Sequence, residues 1–185
     1  RRWKIGIRKV DNETKKPLGG GKFGLYAGEI LCDTKGNVLC GKDQQIAAAV
    51  SDANGEAVFD ADLPLGIYYV KELEAPAGYV KDETPVKIDL GAGIPEKVAA
   101  QISEREELEL TVDPDGSNVM YLTVSDIQTT VEISKQDVTD CAEIPGAKLT
   151  VFDEQEHIVD TWTSGEKPHS IRGLEPGHAY ILREE

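Results

Sequence analysis

Ile5-Gly6-Ile7-Arg8-Lys9-Val10-Asp11 and Val131-Glu132-Ile133-Ser134-Lys135-Gln136-Asp137 are two copies of one pattern, an apolar alternation that ends in Lys-x-Asp, set 126 residues apart from Lys9 to Lys135. Without a gap, Pro17-Leu18-Gly19-Gly20-Gly21-Lys22-Phe23-Gly24-Leu25-Tyr26 is echoed by Glu143-Ile144-Pro145-Gly146-Ala147-Lys148-Leu149-Thr150-Val151-Phe152. Farther on, Leu63-Pro64-Leu65-Gly66-Ile67-Tyr68-Tyr69-Val70-Lys71-Glu72 matches Leu174-Glu175-Pro176-Gly177-His178-Ala179-Tyr180-Ile181-Leu182-Arg183-Glu184, with one extra residue after the second glycine. A period of two marks half-buried strands, and the same segments in the same order mark a tandem repeat. The boundary falls near Ile127-Gln128, giving units 1–128 and 129–185. No counterpart of the first unit's closing strands follows Glu184, so the second unit is expected to be incomplete in this chain.

Composition agrees with a β reading. Eighteen glycines and nine prolines sit among short runs rich in Val, Ile, Thr and Tyr, which favours strands and turns over helices. Turn signals at Lys35-Gly36-Asn37, Asp52-Ala53-Asn54-Gly55 and Asp113-Pro114-Asp115-Gly116 separate the runs in the manner of an antiparallel sandwich. The predicted fold is therefore all-β: tandem immunoglobulin-like antiparallel β-sandwiches. The stretch Glu96 to Glu109 fits either a short helix or an extended, charged edge.

A net charge of −14 and a pI near 4.6 repel phosphate backbones and anionic lipid, which sets nucleic-acid and membrane-surface partners aside. No apolar run reaches membrane-spanning length, and Arg1-Arg2-Trp3-Lys4 lacks the apolar core of a secretion signal, as an excised piece of a longer chain would. Three cysteines are too few and too scattered for a disulfide scaffold or a zinc site. A three-residue loop at Lys35–Asn37 would set Cys32 opposite Cys40, either as a local disulfide or as free thiols, and Cys141 has no partner. His157, His169 and His178 lack metal-ligand spacing, and no nucleophile or phosphate-loop motif is present. No cofactor, metal or turnover reaction is expected.

Strand parity singles out three ionisable residues. Alternate residues share a face, so Trp3, Ile5 and Ile7 lead to Lys9; Tyr68 and Val70 lead to Glu72; Leu122 and Val124 lead to Asp126. Each apolar face ends in a titratable group. Such groups either turn out to water at strand ends, form a buried ion-pair cluster, or react. Burial lowers the pKa of an amine and raises that of a carboxyl, and a neutral amine is a nucleophile. A protonated Glu72 would polarise the Asp126 carboxyl for attack by Lys9 and carry the protons as water leaves, once per molecule.

At these residues the chain resembles the B-type repeat domains of Gram-positive collagen adhesins (CnaB-like) and the prealbumin-like domains of SpaA-type pilins. The resemblance is carried by Lys9-x-Asp11 with Gly20 and Phe23, by Asp52–Gly55, by Leu63–Glu72 and by Ala75-Pro76-Ala77-Gly78-Tyr79. In the second unit Ile133–Asp137, Gly146–Leu149 and Thr161–Ser164 carry it. It implies a sandwich in which a first-strand lysine bonds to an Asn or Asp of the last strand with help from a glutamate. Those roles fall on Lys9, Asp126 and Glu72, with Asn118 as a fallback acceptor. Lys135 and Glu184 match in the second unit, where no last strand supplies an acceptor.

The resemblance implies a stalk or adhesive repeat of a cell-wall-anchored, extracellular protein or pilin of a Gram-positive bacterium, partnered by neighbouring repeats. The alternative is a module that binds host matrix protein or glycan, with Trp162, Thr161, Thr163 and His169 as a sugar platform; the competing role for Trp162 is packing. Asp113–Asn118 is faintly similar to a calcium loop but lacks the distant bidentate glutamate, so the plain turn is the preferred reading.

Overall fold

The computed structural model describes residues 3–92, 109–113 and 116–185. The chain forms two compact units, Arg1–Pro76 with Val80–Ile127, and Ala77–Tyr79 with Gln128–Glu185. No α-helix occurs among the described residues. The stretch from Glu96 lies outside them until Glu109, where a strand begins.

In the first unit one sheet contains β1 (Lys4–Asp11), β6 (Glu56–Val58), β9 (Glu109–Val112) and β10 (Val119–Asp126), in the order β6-β1-β10-β9. The other contains β2 (Lys22–Ala27), β5 (Gln45–Val50), β7 (Ile67–Glu74) and β8 (Val86–Asp89), in the order β5-β2-β7-β8. The alternation seen in the sequence decides what lies between them. Ile5 and Ile7 from β1, Phe23 and Leu25 from β2, Tyr68 and Val70 from β7, and Met120 and Leu122 from β10 are all buried in one core.

Every described ladder is antiparallel except one. β1 and β10 run parallel, in register from Lys4↔Val119 to Asp11↔Asp126. A hairpin cannot join parallel neighbours; here the rest of the sandwich lies between them in sequence, so the unit's first and last strands become central neighbours. Gly6 faces Tyr121 in this ladder, and a Cβ on Gly6 would come within 2.6 Å of the tyrosine ring. On the outer side the Arg8 guanidinium sits 4.1 Å from the Tyr121 ring centroid. It also donates to Glu56 Oε1 at 3.1 Å, Thr111 Oγ1 at 3.0 Å and Asp113 Oδ1 at 3.3 Å. One side chain thus straps all four strands of the sheet.

The small hairpin of β3 (Leu31–Cys32) and β4 (Val38–Cys40) departs from expectation. Asp33 Oδ1 accepts from the amides of Lys35 and Asn37, and a register shift pairs Leu31 with Cys40 and Cys32 with Val38. Cys32 is exposed while Cys40 packs against the core. The two thiols therefore point to opposite faces, and all three cysteines are free.

The second unit repeats the topology with β11 (Thr130–Ile133), β12 (Lys148–Phe152), β13 (Ile158–Thr163), β14 (His169–Arg172) and β15 (Ile181–Glu184). Its sheets are β11-β14 and β13-β12-β15, the counterparts of β1-β6 and β5-β2-β7. Leu149, Val151 and Ile171 form its buried face. Among the described residues no strand occupies the position beside β11 that β10 takes beside β1.

Candidate functional site

β1, β7 and β10 carry Lys9, Glu72 and Asp126, respectively, into the first unit's core. Lys9 is 1 % exposed, Asp126 3 % and Glu72 9 %. Each ends an inward-facing apolar series, so the pleat forces it inward along with its neighbours. Lys9 stands opposite Val124, two residues short of Asp126, and its amine donates to Asp126 Oδ1. Glu72 stands opposite Phe23, and its Oε1 lies 2.9 Å from Lys9 Nζ. The Phe23 ring centroid is 5.5 Å from the same nitrogen. The structure thus brings together the three residues singled out by parity.

Backbone contacts hold this arrangement. The Lys9 amide donates to Gly55 O at 2.7 Å and the Lys9 carbonyl accepts from Leu18 at 2.8 Å. Gly55, with φ +75°, packs so tightly that a Cβ there would meet the Lys9 carbonyl oxygen at 2.4 Å. Asn12 donates to the Asp126 carbonyl at 2.9 Å, and Val80 donates to the carbonyl of Ile127 at 2.9 Å. The other residue of the Lys-x-Asp motif has a separate task. Asp11 Oδ1 accepts from the amides of Glu13 and Thr14 and so closes the turn after β1, as Asp137 does with Thr139 after β11.

The electrostatics favour a proton within the cluster. Burial pushes the Asp126 carboxyl up to about 6, against the pull of Lys9, and the Glu72 carboxylate adds to the rise. Asp126 Oδ2 and Glu72 Oε1, the latter facing Lys9 Nζ at 2.9 Å, are both buried without an aligned hydrogen bond. Two neighbouring carboxyl oxygens in that state repel each other and are unsatisfied. One shared proton relieves both defects.

Asn118 is not an alternative acceptor. It precedes β10 at the far end of the ladder, where its carbonyl accepts from Lys4. In the second unit Lys135 and Glu184 do meet, at 2.5 Å, with side chains 33 % and 48 % exposed. The register is that of the first unit, since Leu149 faces Glu184 as Phe23 faces Glu72.

Residues of two other candidates have structural partners. Trp162 lies directly opposite buried Leu149 and its ring stacks on His169 with centroids 4.2 Å apart. His169 Nε2 is 2.7 Å from Asp160 Oδ2. One face of the indole is therefore taken by a residue of the facing sheet. In the loop Asp113–Asn118, Asp113 is engaged by Arg8, while Pro114 and Asp115 lie outside the described residues. Parity alone missed Phe23 as part of the cluster and the amide of Asp82, which donates to Glu72 Oε2 at 2.7 Å. Phe23 was readable as a motif residue, whereas a backbone donor leaves no side-chain signature.

Comparison with known proteins gives the same fold. A family model described as SpaA, a prealbumin-like fold domain, matches residues 3–104. The chain is similar in structure to the TIE protein of Bacillus anthracis, with 23% identity and a TM-score of 0.50 over 100% of this chain and 28% of that one. It is also similar to a C-terminal fragment of the pilus adhesin SpaC from Lactobacillus rhamnosus GG, with 17% identity and a TM-score of 0.51 over 100% of this chain and 75% of that one. A weaker likeness, TM-score 0.46 at 24% identity, joins 69% of this chain to 42% of the group B streptococcus pilus 2b backbone protein. The chain thus spans 28% of the first of these proteins and 42% of the last. No curated protein sequence matches it. With the matched segment running through β1, β2 and β7, the strands that carry Lys9, Phe23 and Glu72, the chain belongs to the SpaA prealbumin-like fold domain family.

Proposed function

We propose that this chain is a structural repeat of a Gram-positive bacterial surface protein or pilin, whose first unit locks itself with an amide bond between Lys9 and Asp126. The observation that carries the proposal is the burial of one amine against two carboxyls in an otherwise apolar core. An ion cluster there is expensive to desolvate and adds little stability over apolar packing. Condensation removes the charges and leaves a neutral amide.

The reaction needs only groups already in place. Lys9 first yields one ammonium proton to Asp126, making it a neutral acid; Glu72 then lends its proton to that acid, and the uncharged Lys9 amine attacks the Asp126 Cγ. A C–N bond forms, a C–O bond breaks, and the departing oxygen leaves as water while Glu72 recovers its proton from the amine. Fixed proximity replaces a cofactor. The product joins the unit's first strand to its last, so tension entering through β1 passes directly into β10 and bypasses the chain between them. Extracellular display, attachment to a cell wall and neighbouring repeats as partners follow from this reading. Single-molecule extension tests it: the first unit is expected to give no unfolding step under force, and Glu72→Gln is expected to restore one. A wild-type unit that extends through residues 10–125 defeats the proposal.

A further inference from the structure

Resting on that condensation, we infer that the backbone N–H of Asp82 is a positioning group that decides which oxygen of Glu72 handles the proton. The two oxygens are not equivalent. Oε2 accepts from the Asp82 amide at 2.7 Å, whereas Oε1 faces Lys9 Nζ at 2.9 Å and takes part in no aligned hydrogen bond. The carbonyl oxygen of a neutral carboxyl is a better acceptor than its hydroxyl oxygen, so the amide contact favours Oε2 as the carbonyl-type oxygen. A proton on Glu72 therefore resides on Oε1, beside the reacting amine and acid. Without the amide, either oxygen would carry it, and half of the arrangements would aim the proton away from Asp126.

The donor is itself held on both sides. Upstream, Val80 bonds to Ile127, the residue after the acceptor aspartate. Downstream, Asp82 Oδ1 accepts from the Thr84 amide at 2.9 Å and closes a tight turn. The segment from Val80 to Thr84 thus links the orientation of Glu72 to the end of β10. Asp82 lines the recess that holds Lys9, Glu72 and Val124, and also a second recess that reaches Asp126 and Ile127. In the relay, Asp126 has already taken one proton from the Lys9 ammonium; Oε1–H supplies a second, Nζ bonds to Cγ, an amine proton returns to Oε1, and the severed oxygen leaves as water with the two protons Asp126 received. Oε2 keeps its bond to Asp82 throughout.

The test compares Asp82→Ala, which keeps the N–H and loses the side-chain turn, with Asp82→Pro, which loses both. Chains joined in denaturant at Cys40 and Cys141 start unreacted, so loss of water is timed by mass from the moment of refolding. Asp82→Ala is expected to condense at close to the wild-type rate. Asp82→Pro is expected to be slower by roughly tenfold or more, with a displaced pH–rate profile. If the proline variant does not fold, an ester in place of the residue 81–82 amide removes the N–H alone and is expected to show the same slowing. Equal rates and identical pH profiles with and without the N–H overturn the inference while leaving the crosslink standing. A wild-type chain that never loses water overturns both.

Discussion

Asp126 stands two residues beyond Val124, the position facing Lys9 in the parallel β1–β10 ladder, and the lysine amine reaches along the strand to meet it. Two residues of strand span about 6.6 Å, a gap suited to a four-carbon stem that leans along its strand. The parallel direction also sets the mechanics. With the chain entering at the start of β1 and leaving at the end of β10, tension shears the ladder instead of unzipping it, and the proposed Lys9–Asp126 bond would carry that shear through a covalent link.

The bond is expected to raise stability against the unbonded unit. By analogy with a disulfide that closes a loop of about 100 residues, the gain is about 4–5 kcal/mol. Glu72→Gln is the informative comparison, because Lys9→Ala also strands two buried acids. Denaturant titration of the two proteins is expected to separate them by that amount, and coincident curves would count against a crosslink.

The unbonded unit is expected to lose stability as pH rises. Asp126 is held at about 6 in the folded chain against an ordinary 3.8, so between these values the folded state binds more protons than the unfolded one. Its contribution is complete below 3.8 and is lost as pH rises through about 6. Melting of Glu72→Gln against Glu72→Gln/Asp126→Asn across that window isolates the group. A flat difference would show that Asp126 titrates normally.

The reading of Gly6 is equally open to test. A methyl group there meets the Tyr121 ring at 2.6 Å, and moving the ring dislodges Arg8 from its stacked position. Gly6→Ala is expected to cost about 1–3 kcal/mol, as overpacking does. Thermal unfolding of a Glu72→Gln background measures the loss without interference from the bond.

Trp162→Ala is expected to destabilise the second unit by about 2 kcal/mol, below the usual cost of removing a fully buried aromatic because the ring is only half-buried. Loss of the His169 stack is expected to show in the imidazole proton shifts. An unchanged second unit that loses binding on glycan arrays would favour the sugar-platform reading instead.

Much of this was legible in the residues. Period-two alternation placed Lys9, Glu72 and Asp126 on inward faces because the pleat gives a side chain no other choice while its strand persists. The repeat was equally plain, down to Glu184 facing Leu149 as Glu72 faces Phe23. Pairing direction was not, since alternation looks the same in parallel and antiparallel strands. The β3–β4 hairpin was misjudged because Asp33 gathers two amides and shifts the register, which separates Cys32 from Cys40. The amide of Asp82 was invisible for a different reason: any residue type can supply it.

Peptide mass mapping addresses the crosslink itself. Tryptic digestion of the folded, denatured and reduced protein is expected to yield a branched species joining Lys9–Lys15 to Glu106–Lys135, lighter by one water than the sum of its parts and absent from Lys9→Ala and Glu72→Gln. Recovery from wild-type protein of Val10–Lys15, which requires an unmodified Lys9, together with Glu106–Lys135 at its full mass would contradict it.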